Sequence, residues 1–320
     1  MVKTVHHIIA LFRLIRWTNL LIIAATQVFI RVFIIVPILH QGYMEPLLSG
    51  SLFIMLILAT VFISAGGYAI NDYFDRKIDR VNKPDAQIVG RLISPRYAML
   101  YHMFFTSAGI ILGTLVAYLS GQLFLAVVFF VVSGLLWFYS TTYKRELILG
   151  NVIVALLTAL VPFIILLFEI NLLAGEYGIS FRPVSRFLFI WVAGFSFFAF
   201  LLNLIREIIK DVNDFKGDQA YGKRTIPVIW GFSAAKHIIS ALTVLMIILI
   251  GLAWWLFVPD MISLAYFLIL FILPLIFVLM LVNNHFENKF WHRADIIVKC
   301  IMLAGLGYMV VVSVIIKHLT

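Results

Sequence analysis

Two clusters of aspartates in this chain share one spacing. Each cluster has the pattern DxxDxxxD, formed by Asp72, Asp75 and Asp79 in the first and by Asp211, Asp214 and Asp218 in the second. On a helix, positions i, i+3 and i+7 lie on one face, and so do Asn71, Asp75 and Asp79 at i, i+4 and i+8. The spacing therefore predicts two stripes of oxygen-bearing side chains.

Carboxylates stacked on one helix face repel each other, so each stripe needs a source of positive charge. Mg²⁺ prefers oxygen ligands and commonly takes one or two carboxylates together with substrate phosphates. Two facing stripes would hold a diphosphate between bridging Mg²⁺ ions. The competing interpretation is that each stripe is a solvated helix end with local pairs of Asp with Arg or Lys; the repetition of the spacing favours the metal site.

The elements that carry these stripes are predicted from composition. Hydrophobic residues make up 63% of the chain and charged residues 12%, far from the balance of a soluble domain. Stretches of about 20 apolar residues are long enough to cross a bilayer as helices. Nine such stretches predict an all-α, polytopic membrane protein formed by residues 1–320 as one domain: Asn19–Leu39, Leu48–Ile70, Tyr97–Leu119, Leu123–Tyr139, Ile148–Glu169, Phe187–Ile208, Phe232–Val258, Met261–Val282 and Ile296–Ile316.

The connections between these spans differ sharply in charge. With nine spans, twenty basic residues fall on the side that holds the N-terminus, and only Arg182, Arg186 and Lys317 fall on the other. The positive-inside rule then predicts a multi-pass protein of the plasma membrane whose N-terminus and aspartate-rich loops, near 71–96 and 206–231, are cytoplasmic. The net charge of +9 is explained by juxtamembrane contacts with anionic lipid, and we predict no nucleic-acid partner.

Polar side chains on the same predicted side are candidate ligands for an anionic substrate. Arg can bind phosphate oxygens bidentately and Lys can act as a point charge. The candidates for diphosphate binding are Lys83, Arg91, Lys144, Arg145, Arg206 and Lys210, with Lys223 and Arg224 nearby. Aromatic rings attract cations and an allylic cation needs dry surroundings, so the substrate-pocket candidates near the span ends are Tyr68, Tyr139, Asn151 and Asn203.

The run Asn71–Asp79 resembles the first motif of the UbiA superfamily of intramembrane prenyltransferases, and Arg206–Asp218 resembles the second. The segments at residues 16–19, 139–145, 150–151 and 224–227 are similar to that family as well. The resemblance implies a helical bundle around a central cavity that receives a polyprenyl diphosphate, with Mg²⁺ at the cytoplasmic end. It also implies metal-binding roles for Asn71, Asp75, Asp79, Asp214 and Asp218, and catalytic positions for Asp72 and Asp211.

Within the superfamily, the two motifs and the phrase Val81–Asp85 look most like the branch that transfers a geranylgeranyl group to an isoprenoid glycerol phosphate in membrane lipid synthesis. The chain departs from the family pattern at 86–94, where an expected arginine is absent. Two alternatives remain open. One keeps the superfamily and changes the acceptor to an aromatic quinone precursor; the other is a transporter, which predicts acidic residues near the bilayer midplane.

Overall fold

The computed structural model describes residues 2–82, 84–284 and 288–318. Lys83, one of the predicted diphosphate ligands, lies outside the described residues. Apart from one isolated β-bridge between Val89 and Ile93, the regular structure of the described residues is helical. The predicted all-α class is therefore confirmed.

Fourteen α-helices follow one another along the described chain. Short π-helical segments at Ile30–Ile35 and Leu268–Ile272 join α2 to α3 and α12 to α13. The α-helices are α1 Val2–Leu14, α2 Trp17–Phe29, α3 Val36–Gln41, α4 Gly50–Asn82, α5 Pro95–Leu119, α6 Ala126–Thr141, α7 Leu149–Tyr177, α8 Phe181–Asn213, α9 Phe215–Ala220, α10 Ile226–Ile229, α11 Gly231–Phe257, α12 Met261–Phe267, α13 Leu273–Asn284 and α14 Asn288–His318.

Eight apolar helical segments of the described chain are long enough to cross a membrane, so the chain is a multi-pass integral membrane protein. The predicted number of nine is not confirmed by this count. One of the eight, Leu149–Asn213, has 65 residues and consists of α7 and α8, which the short helical turn Gly178–Ser180 separates. The start of α7 contacts the end of α8 through Asn151 and Asp211, so the two helices run antiparallel.

The end of the bundle where α4 and α8 terminate is called here the motif end. Close packing of α4 against α5 fixes the position of the first motif at this end. At Gly109 of α5 an added Cβ would lie 2.9 Å from the carbonyl oxygen of Ala59 and 2.9 Å from the backbone nitrogen of Ile63, both on α4. Small residues at such contacts let membrane helices approach closely enough for van der Waals packing.

At the opposite end, a buried ion pair ties the connection between α3 and α4 to α7. Arg31 lies 3.6 Å from Glu169 and also donates a hydrogen bond to the carbonyl oxygen of Leu48. The other carboxylate oxygen of Glu169 accepts from the backbone N–H groups of Leu47 and Leu48 at 3.1 and 3.2 Å. Arg31 and Glu169 are thus paired with each other, which lowers the cost of burying two ionised groups.

Helix α8 separates two cavities of opposite character. The polar cavity at the motif end contacts Glu207, Lys210 and Asp211 of α8. An apolar cavity of about 830 Å³ lies deeper in the bundle among α8, α11, α12 and α14, and contacts Phe195 and Phe198 of α8. At 100° per residue these two sets are roughly half a turn apart around the helix axis. The two faces of α8 therefore serve different cavities.

Candidate diphosphate site at the motif end

The polar cavity at the motif end has an empty volume of about 640 Å³. It brings together ten of the residues predicted from the sequence. These are Asn71, Asp75, Asp79, Lys144, Tyr139, Asn151, Lys210, Asp211, Asp214 and Asp218. The two aspartate motifs, about 140 residues apart in the sequence, thus line one cavity.

The first motif lies on the last turns of α4, which runs without interruption to Asn82. Lys144, from the turn after α6, inserts between its side chains: the Nζ atom is 2.8 Å from Asp75 Oδ1 and 3.4 Å from Asn71 Oδ1. Burial lowers the pKa of Lys144, although the neighbouring Asp75 opposes that change. The ammonium group of Lys144 therefore offsets part of the negative charge of the first motif.

The second motif is not a single helical stripe, which corrects the prediction from its spacing. Helix α8 ends at Asn213, Asp214 has the non-helical angles φ −91° and ψ 6°, and Asp218 lies on the separate helix α9. Asp211 remains on α8 and accepts a hydrogen bond of 2.8 Å from the Asn151 side chain. Because of this break, Asp218 reaches the cavity from α9, whereas Asp211 reaches it from α8.

Lys223 connects the two motifs. Its Nζ atom lies 3.0 Å from Asp218 and 3.9 Å from Asp75. Burial alone would lower the pKa of Lys223, but the carboxylates of Asp75 and Asp218 outweigh it and the pKa is raised. Burial raises the pKa of Asp218, against the effect of Lys223. A protein ammonium group thus occupies the space between the carboxylates of the two motifs.

The oxygen-bearing side chains of this cavity can hold a hard cation only together with ligands from outside the protein. Among the described residues, no three Asp, Glu, His or Cys side chains are grouped closely enough to hold a metal ion by themselves. The lining nevertheless has six carboxylates against four cationic side chains. Oxygen donors with an excess of negative charge suit Mg²⁺ that completes its coordination with water and phosphate oxygens.

Several predicted residues do not line the cavity. Asp72 pairs with Arg16 at 2.8 Å, and the Arg16 guanidinium lies 5.0 Å from the centre of the Tyr68 ring. Arg16 itself lines the cavity, so Asp72 and Tyr68 contact a lining residue. Asn203 is buried deeper along α8.

The arginines predicted for diphosphate binding are placed elsewhere. Arg206 forms an ion pair with Asp295 of α14, with Nε 3.0 Å from Oδ1, and also lies 3.4 Å from Glu207. Arg91 donates to the carbonyl oxygens of Pro84 and Asp85 and so holds its own loop together. Arg145 is exposed and outside the lining, and its backbone oxygen accepts from the N–H of Arg224. The charge pattern of the sequence did not distinguish these structural roles from ligand contact.

Five further residues line the cavity: Arg16, Ile78, Asn82 and Glu207, which were not selected from the sequence, and Lys223, which was named only among the neighbouring basic residues. Glu207 is buried and pairs with Lys210 at 3.2 Å, which positions that lysine in the cavity. Lys223 and Arg16 were visible as basic or family-like residues. Asn82 and Glu207 lie within the family-like runs Val81–Asp85 and Arg206–Asp218 but outside the aspartate spacing, so the sequence predicted no separate role for either.

A membrane-spanning helical bundle with a charged cavity at one end and two acidic motifs in it defines the class of protein. Residues 20–294 match the model of the UbiA prenyltransferase family. The chain belongs to the UbiA prenyltransferase family. It is therefore an enzyme that transfers prenyl groups, which decides against the transporter alternative.

Relatives and solved structures agree with this membership. The chain is 32% identical over 255 residues to the digeranylgeranylglyceryl phosphate synthase of Methanosphaera stadtmanae, covering 79% of this chain and 82% of that protein. It is 29% identical over 262 residues to the enzyme of the same name from Thermococcus kodakarensis, covering 80% and 84%. A UbiA homologue of Archaeoglobus fulgidus, solved with DMAPP and Mg²⁺, has the same fold, with TM-score 0.54, 17% identity and coverage of 94% and 98%.

Proposed function

We propose that this enzyme transfers a geranylgeranyl group from its diphosphate to an isoprenoid glycerol phosphate, with Mg²⁺, in membrane lipid synthesis. The observation that carries the proposal is the convergence of both aspartate motifs and their lysines on one polar cavity at the end of an apolar bundle. The names of the relatives from Methanosphaera and Thermococcus support the acceptor. The Archaeoglobus homologue with DMAPP and Mg²⁺ supports a prenyl diphosphate donor and the metal.

The donor diphosphate would be held between the two motifs. Asn71, Asp75 and Asp79 would hold Mg²⁺ on one side, and Asp214 and Asp218 on the other. When bound, Mg²⁺ neutralises the charge that develops on the leaving diphosphate. The side chains of Lys144, Lys210 and Lys223 would bind its oxygens and stabilise the same charge.

Cleavage of the allylic C–O bond leaves a cation that requires a dry and electron-rich wall. Tyr139 lines the cavity, and its ring face can stabilise the cation. The acceptor hydroxyl then forms the new C–O bond and loses a proton. Asp211, oriented by Asn151, is the carboxylate that we assign to this proton transfer, whereas Asp72 positions Arg16.

The orientation of the bundle in the membrane belongs to the same proposal. The basic residues of the helix connections concentrate at the motif end, and by the positive-inside rule this supports a cytoplasmic position for this end in the plasma membrane. The water-soluble diphosphate headgroup of the donor would reach the cavity from that side, while the prenyl chain of the donor and the acceptor lipid remain in the bilayer.

The proposal is tested with purified protein in lipid nanodiscs, Mg²⁺ and labelled prenyl diphosphates of several chain lengths. The acceptor panel contains isoprenoid glycerol phosphates and aromatic acids. We expect turnover with the C20 donor and the glycerol phosphates only, and a loss of at least ~100-fold in kcat/KM for Asp75→Ala and Asp214→Ala. Turnover with an aromatic acid alone would replace the glycerolipid assignment with the quinone-precursor alternative, and full activity of either variant would overturn the two-motif mechanism.

A further inference from the structure

Asn82, the last residue of α4, connects the first aspartate motif to the second. Its side-chain nitrogen donates a hydrogen bond of 2.9 Å to the carbonyl oxygen of Asp214, and its side-chain oxygen accepts one of 2.7 Å from the N–H of Gly217. Both partners are backbone atoms of the short segment that separates Asp214 from Asp218.

The bond to Gly217 acts as a cap for α9. Asp214 is the N-cap residue of α9, and an N-cap aspartate commonly accepts a hydrogen bond from the N–H two or three residues later. Asp214 makes no such side-chain cap bond. Asn82 accepts from that N–H in its place, so capping of α9 does not consume the Asp214 carboxylate.

Gly217 completes this arrangement because it leaves room for the amide. A Cβ atom at Gly217 would lie 2.5 Å from the Asn82 side-chain nitrogen and 2.6 Å from its oxygen. Any larger residue would push the amide away from the backbone of the second motif. An amide offers a donor and an acceptor on two separate atoms, as the carbonyl of Asp214 and the N–H of Gly217 require.

We infer that Asn82 is a positioning residue for the metal-diphosphate site. It fixes the backbone of the second motif at a set distance from the end of α4. The inference rests on the donor half of the proposed function and does not depend on the acceptor. Without Asn82, the two hydrogen bonds that join the end of α4 to the second motif would be lost, and the two motifs would no longer be held in register.

The test measures equilibrium binding of inorganic diphosphate in the presence of Mg²⁺, by calorimetry on the full-length protein. For Asn82→Ala we expect the dissociation constant to rise roughly tenfold or more, from the loss of two hydrogen bonds. Asn82→Asp keeps the acceptor for the N–H of Gly217 but places an oxygen against the Asp214 carbonyl oxygen. The dissociation constant of this variant for diphosphate should therefore also rise. The donor KM should rise in parallel with the binding constant while the acceptor KM stays within twofold of the unmodified protein.

Gly217→Ala supplies the decisive comparison. Alone it should weaken diphosphate binding because its methyl group displaces the amide, whereas in the Asn82→Ala background it should add less than about twofold, since the amide is already gone. Asn171→Ala is the matched control, because the Asn171 side chain is exposed and bonds only within its own helix, to Leu167. Thermal unfolding without Mg²⁺ checks that each variant is folded.

Two results separate the possible failures. If the unmodified protein binds no diphosphate with Mg²⁺, the donor half of the proposed function fails. If the unmodified protein binds diphosphate and Asn82→Ala binds it equally well, or if the two substitutions have additive effects, the positioning role of Asn82 is wrong. Should Asn82→Ala fail to fold, Asn82→Asp and Gly217→Ala carry the same test.

Discussion

Lys223 holds an unusual position for a single residue, because it is shared between the two aspartate motifs. Its ammonium group lies within 4 Å of one carboxylate from each motif and its side chain is only 12% exposed. A cation in this place has two uses. It balances Asp75 and Asp218 before the substrate arrives, and it can bind a phosphate oxygen afterwards.

We expect Lys223→Met to impair both stability and activity. Removing one member of a buried charge cluster costs on the order of 3 kcal/mol because the partners remain uncompensated. The melting temperature without Mg²⁺ should therefore fall, and saturating Mg²⁺ should restore much of the loss. Lys216→Met, at an exposed position nearby, is the control. An unchanged melting temperature together with an unchanged donor KM would show that Lys223 has neither role.

Arg206 illustrates a residue whose partner lies on another helix. Because its guanidinium binds Asp295 of α14, we expect Arg206→Ala and Asp295→Asn to lower the melting temperature to a similar degree. The donor KM of both variants should stay within about threefold of the unmodified enzyme, since neither substitution removes a contact to the oxygens of the diphosphate. Lys210→Ala should instead raise the donor KM. A large rise in donor KM for Arg206→Ala with normal stability would reassign Arg206 to diphosphate binding.

At the scale of helices, the contact between α4 and α5 determines where the first motif lies. Gly109→Ala inserts a methyl group against backbone atoms of α4 that cannot move aside, and overpacking of this kind costs roughly 1–3 kcal/mol. We expect a lower melting temperature and reduced activity, both measured in the same nanodiscs. Gly134→Ala on α6 is the control, because an added Cβ there meets no atom within 4 Å. Equal stability of the two variants would contradict the close approach of α4 and α5.

Helix extents show what hydropathy could predict and what it could not. The second apolar stretch was predicted to end at Ile70, yet α4 continues to Asn82, and the sixth was predicted to end at Ile208, yet α8 continues to Asn213. A hydropathy window stops where charges begin. The helices continue because lysines compensate the acidic side chains: Lys144, from a distant part of the chain, pairs with Asp75 of α4, and Lys210 pairs with Glu207 within α8.

At the scale of the whole molecule, the sequence was sufficient for the helical class, the family and the meeting of the two motifs in one cavity. The pairs that hold this cavity were not predictable, since their members are far apart: Arg16 with Asp72, Lys223 with Asp75, and Asn82 with the backbone of the second motif. Spacing along one helix reveals a stripe of ligands. It does not reveal which cation from another element will lie between them.

The balance of six carboxylates against four cationic side chains in the cavity has a thermodynamic consequence. Diphosphate alone meets excess negative charge, and Mg²⁺ alone must compete with Lys144 and Lys223 for oxygens, so each ligand should bind weakly without the other. Bound together, each removes the obstacle to the other, so the coupling free energy between them is favourable and must be reciprocal. We expect the melting temperature to rise more with Mg²⁺ and diphosphate together than the sum of the rises with each ligand alone. Additive rises would mean that the lysines and carboxylates of this cavity do not link the two binding events.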